Sequence, residues 1–218
     1  KSLTSDQIDI LTKWVRSGAK YVKPWAYISP IKTKVPESVS QRWTHNWIDS
    51  FLLEHWAREE INPVQDADSV TLIRRLSFDL LGLPPKIATV ERFKKAKDLN
   101  LVYESIVDEF LSSEFFGERM ASYWLDLVRF ADTVGYHGDQ DHNITPYRDY
   151  VLDSFNQNLS FDQFTREQLA GDLLNDPTID QRIATGYNRL LQTSHEGGVQ
   201  AREYLAIYAA DRIRNLSG

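Results

Sequence analysis

Residues 117–172 read GERMASYWLDLVRFADTVGYHGDQDHNITPYRDYVLDSFNQNLSFDQFTREQLAGD, and this stretch decides the fold. It mixes tryptophan, tyrosine and phenylalanine with arginine and aspartate more densely than any other part of the chain. The sequence before and after this stretch also shows apolar residues at helical spacing. No segment shows the period-2 alternation that is typical of a strand. The sequence therefore predicts an all-α, multi-helix globular domain.

The first predicted helix of this stretch carries Asp126, Arg129 and Asp132 at intervals of three residues. Apolar side chains occupy most of its remaining circumference, which is typical of a buried helix. We therefore expect its charges to be partly buried, and buried charges must be paired or put to use. Two interpretations stay open, namely a network of Arg–Asp pairs that fixes helix packing and a polar site inside a helical shell.

These charges belong to a larger candidate polar cluster. Two carboxylates on facing helices could act as general acid and general base, and neighbouring arginines could hold an anionic or sugar substrate through bidentate hydrogen bonds. A hydrolase or lyase that acts on carbohydrate through Asp126, Asp132 or Asp172 is therefore one hypothesis. The same inventory fits a static network, so the sequence leaves open whether the protein is an enzyme. The cluster comprises Arg119, Asp126, Arg129, Asp132, Arg148, Asp149 and Asp172.

A polar loop between the predicted helices offers candidate metal ligands. The spacing of Asp139, Asp141 and Asn143 is similar to the start of a calcium loop, but Ile144 and Tyr150 stand where such a loop needs glycine and glutamate. Imidazoles and carboxylates could instead bind a transition metal ion. An exposed polar loop without metal is the alternative. The candidate ligands are His137, Asp139, Asp141 and His142.

The N-terminal part is organised differently. Thr4 and Gln7 have the spacing of a capping box and predict a helix start. Pro24, Pro30 and Pro36 follow among lysines and serines and exclude a long helix there. We predict a proline-rich N-terminal arm that joins this first helix to the helical domain.

Composition narrows the class of protein. The 218 residues carry a net charge of −6, which argues against a nucleic-acid-binding protein. The chain has no cysteine, so it contains no disulfide, no thiolate metal site and no covalent haem attachment. It also has no run of 18 apolar residues, and we expect no membrane span in it.

Several motifs follow one another in an order that resembles a known family, the planctomycete-type, cytochrome-associated domain of unknown function. They are LIRRLSFDLLGLPP (72–85), FGERMASYWLDLVRFADTVGY (116–136), PYRDYVLDSFNQNLSFDQFTREQLAGDLL (146–174), ATGYNR (184–189) and EGG (196–198). The segment LTSDQIDILTKWVRSGAKYVKPWAY (3–27) resembles the end of the c-type cytochrome domain that usually precedes this family. The resemblance thus implies three parts: a cytochrome remnant over 1–22, a linker over 23–46 and the helical domain over 47–218.

The resemblance also implies a setting. Family members resemble large exported bacterial proteins with covalent haem on Cys-x-x-Cys-His motifs, which implies an extracytoplasmic location and haem outside this chain. His137, Asp141 and His142 do not match the family pattern, and Asn158 stands where that pattern has an acid. The residues that match it are Arg74, Arg75, Arg119, Asp126, Arg129, Asp132, Asp139, Arg148, Asp149 and Asp172.

Three functional hypotheses result. The first is a helical scaffold module of an extracytoplasmic c-type haem protein in a redox or electron-transfer assembly, with the flanking haem-bearing segments or chains as partners. The second is the carbohydrate-acting hydrolase or lyase, with a carbohydrate or another small molecule as its ligand. The third is a protein-interaction module of a larger assembly.

Overall fold

The computed structural model describes residues 3–37, 44–135, 138–194 and 200–217. Within these ranges it contains ten α-helices and no strand, which confirms the prediction of an all-α fold. Thr133 and Asp141 form an isolated antiparallel bridge. The helices are α1 (Ser5–Arg16), α2 (Trp47–Arg58), α3 (Ser69–Leu81), α4 (Ile87–Lys94), α5 (Leu99–Leu111), α6 (Glu114–Leu127), α7 (Thr145–Asn156), α8 (Phe161–Ala170), α9 (Ile179–Ala184) and α10 (Ala201–Ser217).

The chain divides into two compact units, Lys1–Gln65 and Asp66–Gly218. In the first unit α1 begins at the predicted capping box, in which Thr4 and Gln7 exchange side-chain-to-backbone hydrogen bonds. No residue of α1 is buried, and a short 3-10 helix follows at Trp25–Tyr27. The proline-rich linker stays a prediction, and residues 38–43 of it lie outside the described residues.

The second unit begins with three helices around a small core. Asp68 caps α3 by accepting hydrogen bonds from the backbone N–H groups of Val70 and Thr71. Gly82 ends α3 in the left-handed conformation, with φ at 69°, which glycine adopts without steric cost. Helices α3, α4 and α5 then pack their apolar faces together, and the buried side chains between them are Ile73, Phe93, Ile106 and Phe110.

A larger core joins α6, α7, α8, α9 and the segment after α9. Helix α6 packs against both α3 and α7 and so connects the two cores. Aromatic side chains dominate, and Phe164 lies 4.9 Å from Trp124 and 6.0 Å from Tyr150 between ring centroids. The buried side chains of this core are Ala121, Val128, Ile144, Tyr147, Tyr150, Val151, Phe164, Ala184 and Leu190.

The prediction of a buried central helix is wrong. Helix α6 ends at Leu127 instead of continuing through Asp132, and only Gly117 and Ala121 within it are buried. Tyr123 and Leu127 are 56% and 66% exposed, so apolar residues around the circumference did not indicate burial on all sides. Because the helix ends early, the three-residue spacing of its charges does not place them on one helical face.

No helix in the described ranges has the length and apolar character that crossing a membrane requires.

Candidate functional site

The three central charges lie at and beyond the end of α6. Asp126, Arg129 and Asp132 are all exposed. Arg129 does not pair with either aspartate. Its guanidinium forms a bidentate pair with Asp211 of α10 instead, with Nη1–Oδ1 and Nη2–Oδ2 distances of 3.1 and 2.9 Å. The structure therefore places one of the three in an ion pair with a residue 82 positions away.

The other members of the predicted polar cluster are also dispersed. Arg148 lies 3.3 Å from its neighbour Asp149 on α7, and both side chains are substantially exposed. Asp172 is exposed in a 3-10 helix, Gly171–Leu173, that follows α8. Arg119 packs its guanidinium on the ring of Tyr123, at 4.6 Å from the centroid. Among the described residues no hydrogen bond or ion pair joins these groups into one site.

The candidate metal residues lie in the loop that follows α6. Asp139 is used within this loop, because its carboxylate accepts the backbone N–H of Gly135 at 2.9 Å and the hydroxyl of Thr133. The bond from Thr133, followed by that from Gly135, lowers the pKa of Asp139 below its ordinary value. Asp141 is exposed and His142 is half-buried, while His137 lies outside the described residues. Over the described part of the loop, no three ligand-type side chains come together around one point.

The same loop forms one wall of a cleft. The backbone N–H of Val134 donates to the carbonyl of Gln140 at 3.0 Å, which holds the two limbs of the loop together. Thr193 then donates its N–H to the carbonyl of Val134 at 3.2 Å, and this bond attaches the segment that follows α9. The wall is therefore a backbone-bonded layer rather than an isolated loop.

Two adjoining cavities of about 260 and 570 Å³ lie along this wall. Helix α10 borders the larger cavity through Tyr208 and Arg212. Both side chains are fixed, since the hydroxyl of Tyr208 accepts the N–H of Ser194 at 3.1 Å and the Nε of Arg212 donates to the carbonyl of Asn188 at 3.2 Å. The lining residues shared by both cavities are Val134, His142, Arg189 and Leu191.

The cleft is positively charged. Its described lining contains Arg189, Arg212 and Arg129, the last of which is paired with Asp211, and Asp141 is the carboxylate in this lining. Arg189 and Arg212 form no ion pair with any carboxylate of the described residues. Arg189 and Arg212 therefore line this space without being paired to a carboxylate of the described residues.

Arg129 also has an unusual backbone. It follows the last turn of α6 with φ at 60°, in the left-handed region, where glycine is the usual residue. The backbone N–H groups of Arg129 and Phe130 donate to the carbonyls of Asp126 and Leu125, at 3.0 and 2.8 Å, and complete a Schellman motif. An arginine in this conformation costs about 1–2 kcal/mol relative to glycine. The ion pair with Asp211 explains why a side chain is retained there.

A second polar region, which sequence reasoning missed, is buried between α7, α8 and α9. Glu167 is 5% exposed, and its carboxylate accepts hydrogen bonds from the Tyr150 hydroxyl at 2.9 Å and from the amides of Gln163 and Gln181 at 3.0 Å each. Burial alone would raise the pKa of Glu167, but these three bonds favour the charged form and the pKa is lowered. The carboxylate is therefore buried and charged, and among the described residues its partners are all uncharged.

Gln168 is the neighbouring element of this buried network. Its Oε1 accepts hydrogen bonds from Tyr147 at 2.6 Å and from the indole of Trp124 at 3.0 Å, and its Nε2 donates to the carbonyl of Phe164. Burial raises the pKa of the Tyr147 hydroxyl, which stays protonated and able to donate. The available signal was spacing, because Gln168 lies four residues after Phe164 and shares its inward face.

Comparison with known proteins gives one family. No curated protein and no solved structure matches the chain. The model of the family described as "PSCyt2: Protein of unknown function (DUF1549)" matches residues 47–218. That match covers well over half of the 218 residues, and the chain therefore belongs to the PSCyt2 family of proteins of unknown function.

Proposed function

We propose that residues 47–218 form a helical scaffold module of a larger extracytoplasmic protein that carries covalently attached c-type haem. In this proposal the parent protein works in a redox or electron-transfer assembly. The flanking haem-bearing segments or chains are the partners that the scaffold holds in position.

The observation that carries the scaffold role is the buried network around Glu167 and Gln168. Each polar side-chain atom of Glu167 and Gln168 has a hydrogen-bond partner within the protein, and those partners come from α6, α7, α8 and α9. A fully satisfied buried network favours one arrangement of the helices over alternatives. Such rigidity suits a module whose task is to set distances between other groups.

The haem part of the proposal rests on the ordered motifs of the sequence and on the resemblance that they carry. The chain has no cysteine, so its own residues do not fit covalent haem attachment through thioether bonds. The haems are therefore assigned to other segments of the parent protein. Bound haem would supply one-electron chemistry there, and this chain would contribute position and support.

The hydrolase alternative receives less support, because its candidate carboxylates Asp126, Asp132 and Asp172 are exposed and are not joined into one site among the described residues. A general acid needs a carboxyl group whose pKa is raised. In the described part, the carboxyl groups with a shifted pKa all shift downward, and each accepts hydrogen bonds that favour the charged form. These groups are Asp68, Asp139, Asp162, Glu167 and Asp211.

The test uses the intact parent protein. We expect a sharp Soret band, with α and β bands on reduction, and we expect Glu167→Ala to slow electron transfer between haem centres while these bands persist. Glu118→Ala, at an exposed position on α6, is the matched control. A spectrum without a Soret band would refute the haem role. Electron transfer unchanged in a Glu167→Ala protein of clearly reduced stability would refute the scaffold role.

A further inference from the structure

We propose that the cleft between residues 129–135 and 140–142, the 189–193 segment and α10 is a binding site for a small organic anion. Arg189 and Arg212 would hold its oxyanion group, which is a carboxylate, a sulfate or a phosphate. This site lies apart from the buried network of Glu167 and does not depend on the haem proposal.

Charge is the first argument. Arg129 is already neutralised by Asp211, whereas Arg189 and Arg212 have no carboxylate partner among the described residues. Arginine presents several N–H donors in a planar arrangement that matches the oxygen spacing of carboxylate, sulfate and phosphate groups. Two such groups on one cleft repel each other, and a bound oxyanion removes that repulsion. The remaining carboxylate, Asp141, lies on the wall of the larger cavity.

Pre-organisation is the second argument. The Nε of Arg212 is anchored on the carbonyl of Asn188, which leaves its terminal nitrogens free for a ligand. The hydroxyl of Tyr208 accepts from Ser194 and keeps its own proton available to donate. Helix α10, which carries both groups, is fixed by the bidentate pair between Arg129 and Asp211. Arg129 is thus a positioning residue, and its left-handed backbone is the strain that accompanies this role.

Size and lining are the third argument. The larger cavity, of about 570 Å³, lies in the range of small-molecule pockets, and the adjoining cavity of about 260 Å³ shares part of its lining. Both exceed what a bare inorganic ion needs. Val134 and Leu191 supply apolar surface, while Gln140 and Thr193 supply uncharged polar groups. An anion that also carries hydroxyl groups and some apolar surface would meet all of these features.

The test is calorimetric titration of the chain at low ionic strength. The probes are sodium sulfate, sodium phosphate and glucuronate, with glucose as the uncharged counterpart of glucuronate. We expect at least one anion to bind and glucose not to bind. Arg189→Gln and Arg212→Gln should each weaken that binding about tenfold or more, as expected for loss of a charge-assisted hydrogen bond. The anion that binds most tightly identifies the oxyanion group.

Arg92→Gln is the control, since Arg92 is also an exposed arginine, pairs with Glu109 and does not line the cleft. Circular dichroism of each variant verifies that it is folded. Equal binding of glucose and glucuronate, affinity unchanged in both cleft variants, or no binding of any anion to the folded chain would each overturn the proposal. Equal weakening by Arg92→Gln would do the same, because it would reveal general charge attraction.

Discussion

The buried network of Glu167 and the cleft of Arg189 and Arg212 both contain charged side chains, but these side chains differ in whether the protein itself provides their partners. Glu167 is buried and accepts three hydrogen bonds from uncharged donors of its own protein. The two arginines face an open cleft without a carboxylate partner in the described residues. A charge that the protein itself satisfies stabilises the fold, whereas a charge left unsatisfied beside a cavity is available to a ligand.

The largest expected effect tests how closely the helices of the buried network approach. A Cβ atom at Gly171 would overlap the backbone carbonyl of Gln181, which cannot move without displacing α9. We expect Gly171→Ala to lower the free energy of unfolding by about 3 kcal/mol or more, as overpacking against backbone does. Urea unfolding measures the change. Gly138→Ala meets no atom within 4 Å but has φ at 83°, so it measures backbone strain without a clash, about 1–2 kcal/mol, and only a larger loss at Gly171 reports the contact. Equal losses in the two variants would show that the contact with Gln181 is unimportant.

The next effect tests whether Glu167 is structural. Gln163 and Gln181 both donate to Oε1 of Glu167, and Tyr150 donates to Oε2. In Glu167→Gln the amide oxygen can accept from the two glutamines, but the amide nitrogen then faces the Tyr150 hydroxyl, whose buried proton loses its acceptor. We expect a loss of about 2 kcal/mol in the free energy of unfolding, the usual cost of a buried unsatisfied polar group. The measurement is again urea unfolding at an unchanged m-value. An unchanged or increased free energy of unfolding would contradict the structural role of Glu167 and would indicate a strained functional group instead.

A smaller effect concerns the ion pair that holds α10. Hydrogen bonds from Arg129 lower the pKa of Asp211, so the charged form is favoured in the folded state. The stabilisation is therefore fully present above the ordinary carboxyl pKa of about 4, and it is lost as pH falls through the lowered folded-state value. We expect Asp211→Asn to remove about 1 kcal/mol at neutral pH, because the pair is partly exposed, and to remove none at low pH. Hydrogen exchange of the α10 amides measures this loss.

Arg129 offers a control within the same pair. Arg129→Ala and Arg129→Gly both abolish the bond to Asp211, but glycine also relieves the left-handed backbone. We therefore expect the glycine variant to be more stable than the alanine variant by about 1 kcal/mol. If alanine were the more stable of the two, the strain assigned to this residue would be absent.

The smallest expected effect falls on the residues that looked most important in the sequence. Asp132 is exposed, and no hydrogen bond or ion pair of its side chain occurs among the described residues. Asp132→Asn should change the free energy of unfolding by less than about 0.5 kcal/mol, as is usual at exposed positions. A loss of 3–5 kcal/mol, expected for a stranded buried charge, would restore the hypothesis of a buried Arg–Asp network.

Some features of this structure could be predicted from local sequence signals, and others could not. The start of α1 could be predicted, because the capping box of Thr4 and Gln7 forms between residues close in sequence and needs no distant partner. The end of α6 could not be predicted, because Arg129 occupies the left-handed position after the helix, where a glycine would have indicated the helix end. Its partner Asp211 lies 82 residues away, and no local pattern reveals such a pair. The role of the polar cluster as a site stays a prediction.

Glu167 illustrates a different limit. Its position on an inward face could be inferred from spacing, but its three donors come from two other helices and from its own. Whether a buried acid is satisfied depends on all of these together, which is a property of tertiary structure. The same holds for the cleft, because Arg189 and Arg212 meet only after α10 packs beside the loop.

The attachment of α10 has a thermodynamic consequence. No residue of this helix is buried, and it is held by the Arg129 pair and by hydrogen bonds from Arg212 and Asn215 and to Tyr208. The heat-capacity change on unfolding comes mainly from the exposure of apolar surface. Detachment of α10 would therefore have a small heat-capacity change, whereas unfolding of the two cores would have a large one. The stability of the cores therefore varies with temperature along a curved dome. The free energy of α10 attachment therefore changes almost linearly with temperature. Cooling weakens an apolar core, but it does not weaken the attachment of α10 in the same way.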